Sequence, residues 1–127
     1  MSKFEGFEDI LAWKKAYEVT LEVYRQTSDG SFARDFGLRD QIRRASVSIM
    51  ANIAEGHGRR SNPEFANFLN IARGSAHEVQ SHLYVARGLG YIDPNTFDTL
   101  YLGLGEISRM TLSLAKYLRG GSGGAAS

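Results

Sequence analysis

Cysteine is absent from the chain. That excludes disulfides and thiol chemistry, and it suits a reducing compartment. Proline is nearly absent, occurring only at Pro63 and Pro94. Long helices can therefore run between those points without a forced break. No apolar run approaches the roughly 20 residues that a membrane helix needs. The start, "MSKFEGFEDILAWKK", lacks a basic segment followed by an apolar one, so no signal peptide is expected and the expected location is cytoplasmic. A large excess of charge is missing too. The net charge of +1 is too small to argue for nucleic acid alone, because such binding scales with the phosphates neutralised. What remains is 127 residues, enough for one domain that buries a core without metal or disulfide.

The charge is unevenly placed. Six arginines stand against three acids between Arg34 and Arg60, whereas Met1 to Ala33 carries four bases and six acids. The tail from Gly120, "GGSGGAAS", breaks the composition and has the look of an appended flexible linker. The expected domain is therefore 1–119, with 120–127 set apart.

Both prolines follow capping residues, in "SNPE" and "IDPN". Ser61 or Asn62 caps one helix with Glu64 completing a capping box, and Asp93 caps the other. Gly56, Gly58, Gly88 and Gly90 stand just ahead of these starts, where left-handed glycines end helices. Gly30 punctuates in the same way. The spacing predicts helices over Asp9–Thr27, Asp35–Glu55, Pro63–Arg87 and Pro94–Arg119.

Apolar steps of three and four recur in each segment. They read Ile10, Trp13, Tyr17, Thr20 and Tyr24 in the first, with Ala16, Val19 and Val23 beside them. The second has Leu38, Ile42, Ala45, Ile49 and Ile53. The third and fourth centre on Leu69, Ala76 and Leu83, and on Leu100, Leu104 and Ile107. Short connections between such helices predict an all-α, up-down-up-down antiparallel four-helix bundle. The third and fourth helices also carry Ile71, Tyr84 and Val85, and Tyr101, Leu102, Met110, Leu112 and Tyr117, off the core stripe. One bundle core does not cover so wide an arc. A homo-oligomer is expected, against the plainer reading that scattered exposed apolar residues are normal on monomers.

The densest stretch is "QIRRASVSIMANIAEGHGRRS", Gln41 to Ser61. Gln41, Ala45, Ser48 and Asn52 fall on one helical face, mostly small, so this helix should be closely enclosed. Asp40 and Arg44 are spaced to pair. Arg39 and Arg43 share a face and repel unless a carboxylate (Glu18, Glu22 or Glu78) or a phosphate lies between them. Asn52 should bond across helices. Glu55, at an unfavourable helix end, calls for an arginine: Arg43, Arg44, Arg59 or Arg73. Two readings stay open. The arginines are structural or solvated, or Arg39, Arg43, Arg44, Arg59 and Arg60 form a phosphate-binding surface. No aromatic residue interleaves with them, so base stacking is not indicated.

This run, followed by "EFANFLNIARGSAHEVQSHLYVARGLGYI" and "EISRM", resembles the four-helix-bundle proteins encoded by intervening sequences of bacterial 23S ribosomal RNA genes. The resemblance implies a left-turning bundle, pentameric rings, and kinship to accessory proteins of diversity-generating retroelements, which bind a reverse transcriptase and nucleic acid. No catalysis is implied. Arg43, Arg44, Asn52, Glu55 and Gly56 carry over as motif residues. Met50 stands where many relatives have proline, so the second helix should run straighter here; His57 stands where many have an aromatic.

Catalytic and metal motifs are not evident. In "HEVQSH" the histidines His77 and His82 are five apart, whereas zinc on one helical face needs four. Neither "GLGYIDP" nor "YLGLGE" makes a dinucleotide fingerprint. No catalytic residues, metal or cofactor are expected. The expected function is a non-enzymatic homo-oligomeric scaffold binding RNA or DNA. The alternatives are a protein–protein adaptor, such as an accessory subunit of a reverse transcriptase, and an enzyme with a cryptic bundle site.

Overall fold

The structure is a computed structural model and describes residues 4–120. The expected tail, beyond Gly120, lies outside the described residues. Among the described residues the regular structure is helical throughout, with no strand. A 3-10 turn over Phe7–Asp9 leads into α1 (Leu11–Gln26), α2 (Gly30–Arg34), α3 (Phe36–His57), α4 (Asn62–Gly88) and α5 (Pro94–Leu118). Four of these correspond to the expected helices to within about two residues.

The 3-10 turn and α2 are additions that apolar periodicity did not signal. Gly30 takes φ 71° and opens α2 rather than only ending α1. Phe32 of α2 is buried, with its ring 5.2 Å from that of Tyr91.

The capping residues behave as their chemistry requires. Ser61 Oγ accepts from Glu64 N–H at 3.3 Å and donates to the Glu64 carboxylate. Asp93 accepts from Thr96 N–H at 2.7 Å. Asp35 caps α3 through Leu38 N–H, while its second oxygen accepts from the Tyr91 hydroxyl at 2.9 Å. One carboxylate thus ties the start of α3 to the α4–α5 connection.

The expected glycine stops divide. Gly90 takes φ 75° and ends α4 as anticipated. Gly56, Gly58 and Gly88 do not adopt positive φ. Gly56 lies inside α3, buried, and its role is close packing. A Cβ there would fall 2.7 Å from Phe68 Cβ. α3 runs unbroken through Met50, where a proline would remove a backbone donor.

The long helices pack α1 on α3 and α5, and α4 on α3 and α5. Cross-helix contacts give the register. Thr20 Oγ1 donates to Ser46 O, and Arg43 reaches Thr27. Ser48 meets Ser75, and Gln80 meets Tyr101 O. The core holds Ile42, Ile49, Ile53, Leu69, Leu83 and Leu104, among others.

On α1 the buried face is not the expected aromatic stripe. Ala12, Ala16, Val19, Thr20 and Val23 face inward, Trp13 is half-buried, and Tyr17 and Tyr24 are exposed. The small side chains let α1 seat closely, and the bulky rings turn outward. None of the helices among the described residues is long and apolar enough to cross a membrane.

The acidic groups fix the pH response. Glu22 is held below its ordinary 4.5, first by the Gln26 amide and also by Arg25. Asp93 is held below 3.8 by the Thr96 N–H it accepts. Tyr91 is raised above 10.0 because its hydroxyl donates to Asp35. A depressed carboxyl contributes stability above its unfolded value and loses it as pH falls through the folded one; a raised phenol does so below its unfolded value and loses it as pH rises. Thermal melts should be flat through neutral pH and fall below about 4.5 and above about 10. Asp93→Ala should flatten part of the acid limb.

Candidate nucleic-acid interface

The five arginines singled out by charge separate into committed and free groups. Arg39 donates through Nε to Asp40 at 2.9 Å and through Nη1 to Ala33 O. Asp40 therefore pairs with Arg39, not with Arg44 as its spacing suggested. Arg59 donates to Glu55 at 2.7 Å, supplying the cation that Glu55 needs near a helix C-terminus.

Arg43 is half-buried and uses no carboxylate. Its Nε donates to Thr27 Oγ1 at 2.7 Å, and its Nη2 donates to Thr27 O and Tyr24 O at 3.2 and 3.5 Å. It closes the carbonyl end of α1, where helix backbones leave acceptors unmet. The carboxylates proposed to sit between Arg39 and Arg43 are engaged elsewhere or not seen there: Glu22 holds Arg25 and Gln26, and Glu78 pairs with His82. Arg44 and Arg60 are exposed and have no hydrogen bond or ion pair among the described residues.

Rings lie under the committed guanidinium groups. Arg43 sits 4.4 Å over Tyr24, Arg39 4.8 Å over Phe36, and Arg59 4.7 Å over Phe68. In linear order no Phe, Tyr or Trp stands between Arg39 and Arg60. Space supplies what the linear order does not, because Tyr24 and Phe68 come from α1 and α4. Only the Phe36–Arg39 spacing of three residues was open to view in the sequence.

Asn52 makes its amide bonds within its own helix, to Ser48 O at 2.8 Å and Ser48 Oγ at 3.0 Å. The expected cross-helix bond is made one step away, by Ser48 Oγ and Ser75 Oγ at 2.9 Å. Asn52 therefore orients the hydroxyl that bridges α3 and α4. Another feature escaped the sequence: the Nε of Arg73 is buried with no hydrogen-bond partner.

Chemistry elsewhere is spent internally. The buried hydroxyls of Thr20, Thr27, Ser46 and Thr111 each donate to the carbonyl four residues back. A groove of about 480 Å³ between α1 and the start of α5 contains Lys15, Glu18, Glu22 and Arg25. Lys15 pairs with Glu106 and Arg25 with Glu22, so most of its charges are already matched. His77 bonds to Ser108 and His82 to Glu78. Among the described residues no three His, Cys, Asp or Glu side chains could hold a metal ion.

Of the apolar residues expected off the core, Ile71, Tyr84, Val85, Leu102 and Tyr117 are exposed. Tyr101 and Met110 are half-buried and pack against the core, and Leu112 is half-buried. Leu11, Tyr17, Leu21, Phe36, Val47 and Leu89 add exposed apolar surface that was not foreseen.

Residues 8–113 match the family model described as 23S rRNA-intervening sequence protein. A 1.70 Å crystal structure of a protein of unknown function from the S23 ribosomal protein family of Bacteroides thetaiotaomicron VPI-5482 is similar, with TM-score 0.78 and 26% identity. The similarity covers 86% of this chain and 98% of that one. None of the curated proteins matches. The matched span begins in the 3-10 turn, includes the whole of α1 to α4, and extends well into α5. α3 is no more enclosed than the other long helices, burying one face through Ile42, Ala45, Ser46, Ile49, Ile53 and Gly56. By its match over residues 8–113 the chain belongs to the 23S rRNA-intervening sequence protein family.

Proposed function

We propose that this chain is a non-enzymatic helical scaffold that assembles with copies of itself and presents a basic surface to RNA or DNA. In this reading the four long helices form an up-down-up-down antiparallel bundle, supported by the opposed residue order of paired contacts: Thr20–Ser46 with Thr27–Arg43, Ser48–Ser75 with Gly56–Phe68, Gln80–Tyr101 with Asn67–Arg119, and Lys15–Glu106 with Val19–Gly103. Assembly is supported by the exposed apolar side chains on α4 and α5. The ring implied by the sequence resemblance is a pentamer.

The observation that carries the nucleic-acid half is that Arg44, in the first half of α3, and Arg60, past its far end about 20 Å away, are each charged, exposed and unspent. Repetition around a ring multiplies such charges without raising the charge per chain. The non-enzymatic half is supported by core hydroxyls bound to backbone carbonyls and by a groove whose charges are largely matched.

The adaptor reading, with a reverse transcriptase as one possible partner, draws support from a separate fact. Arg39, Arg43 and Arg59 serve their own chain.

Light scattering with an oligonucleotide titration tests both halves. A mass near five times 14.0 kDa is expected, and a 14.0 kDa species would defeat assembly. Affinity should fall steeply between low and moderate salt, and Arg44→Ala with Arg60→Ala should flatten that slope by about one unit per arginine. A slope unchanged by the double substitution defeats the basic-surface reading.

A further inference from the structure

We infer that the seam between α1 and α3 is a stacking platform for single-stranded nucleic acid. This rests on the nucleic-acid reading above and specifies the form of the ligand. The observations begin with the inverted face of α1. Tyr17 and Tyr24 are 45% and 39% exposed, although the chain has alanines and valines to place inside and rings to spare for the core. Phe36, at the start of α3, is 64% exposed.

The register places these rings along one line. Arg43 reaches Tyr24 and Thr27 while Thr20 reaches Ser46, so α1 and α3 run in opposite directions along the seam. Tyr17 and Tyr24 are seven residues apart on α1. Phe36 lies seven residues before Arg43, which covers Tyr24. At about 1.5 Å per residue, seven residues span about 10 Å. Three rings thus recur in steps of about 10 Å along some 20 Å of surface.

Charge points to an anionic occupant. Arg39 and Arg43 lie on the seam and Arg44 beside it. Asp40 is the acid that meets this group, and Arg39 takes it. Arg43 is bound only to neutral acceptors, so its charge stays uncompensated. Arg43 covers one face of Tyr24 and Arg39 one face of Phe36, and partly exposed rings carrying stacked guanidinium groups suit unpaired bases on a phosphate backbone. A duplex keeps its bases stacked inside and offers such rings nothing to hold, so its binding would depend on the arginines alone.

Trp13 supplies a built-in reporter. It is the one tryptophan of the chain, and its ring lies parallel to that of Tyr17 at 5.5 Å. A base stacking on Tyr17 should quench its emission.

The test titrates the intact protein with fluorescein-labelled pyrimidine 20-mers, as RNA, as DNA and as the corresponding duplex. Single strands should bind about tenfold tighter than duplex and quench Trp13. Tyr17→Ala and Phe36→Ala should each weaken single-strand binding about tenfold with the salt slope unchanged, whereas Tyr17→Phe retains it. The RNA and DNA arms show whether the sugar matters.

Equal binding of single strand and duplex, indifferent to the aromatic substitutions, would overturn this inference and leave the basic surface standing. Binding of neither would defeat both. Aromatic variants that instead lower the mass in solution would make the seam a contact between copies and overturn the stacking role.

Discussion

Gly56→Ala should destabilise the fold by about 2 kcal/mol, while Gly74→Ala should stabilise it by about 0.5–1 kcal/mol. Both glycines lie inside long helices, so the gain in helix propensity is the same, about 1 kcal/mol each. Surroundings decide the sign. A Cβ at Gly56 would meet Phe68 Cβ at 2.7 Å, Phe65 Cδ1 at 3.0 Å and Phe65 O at 3.3 Å. Two of those atoms move only with the backbone of α4, so α3 and α4 would have to part. Overpacking of that kind costs roughly 1–3 kcal/mol, and here it should lie at the upper end. A Cβ at Gly74 would meet nothing within 4 Å. Thermal melts should therefore shift down by about 8 °C for Gly56→Ala and up by a few degrees for Gly74→Ala. Equal shifts would show that the α3–α4 approach is not closely packed.

That contrast also marks where the sequence was legible. Helix positions followed from Ser61, Pro63, Asp93 and Pro94, whose preferences are local. The core of α3 followed because Ile42, Ile49 and Ile53 recur at helical spacing on one face. Gly56 was misread as a stop because a glycine's local signal is the same for a turn and for a close contact; the difference lies in Phe65 and Phe68 on another helix.

The face of α1 was misread for a related reason. Its aromatic stripe and its alanine–valine stripe are adjacent, and both have helical period. Which one turns inward depends on how much room α3 and α5 leave. The site was less legible than the fold. Arg39, Arg43 and Arg59 look alike in sequence, yet their partners are an adjacent acid, a distant helix end and a carboxylate one turn back.

Arg43→Ala should cost about 2–3 kcal/mol of stability, and Arg44→Ala should change stability by less than about 0.5 kcal/mol. Arg43 gives three hydrogen bonds to the end of α1 and stacks on Tyr24. Hydrogen bonds from a charged donor contribute roughly 1.5–3 kcal/mol, and the ring contact adds about 0.5–1 kcal/mol. Removing the guanidinium leaves carbonyls at the α1 terminus without their donor. Arg43→Lys should recover little, because an ammonium group does not reproduce the planar fork that reaches Thr27 Oγ1 and two carbonyls together. Arg44, one residue on, points into solvent with no partner, and alanine there favours the helix slightly. Melting temperature and oligonucleotide affinity, measured on the same two single variants, separate the roles. Arg43→Ala should melt about 8–12 °C lower; Arg44→Ala should melt as the parent does but lose about one unit of salt slope. An Arg43→Ala variant of unchanged stability would show that its bonds to Thr27 and Tyr24 do not clamp the end of α1.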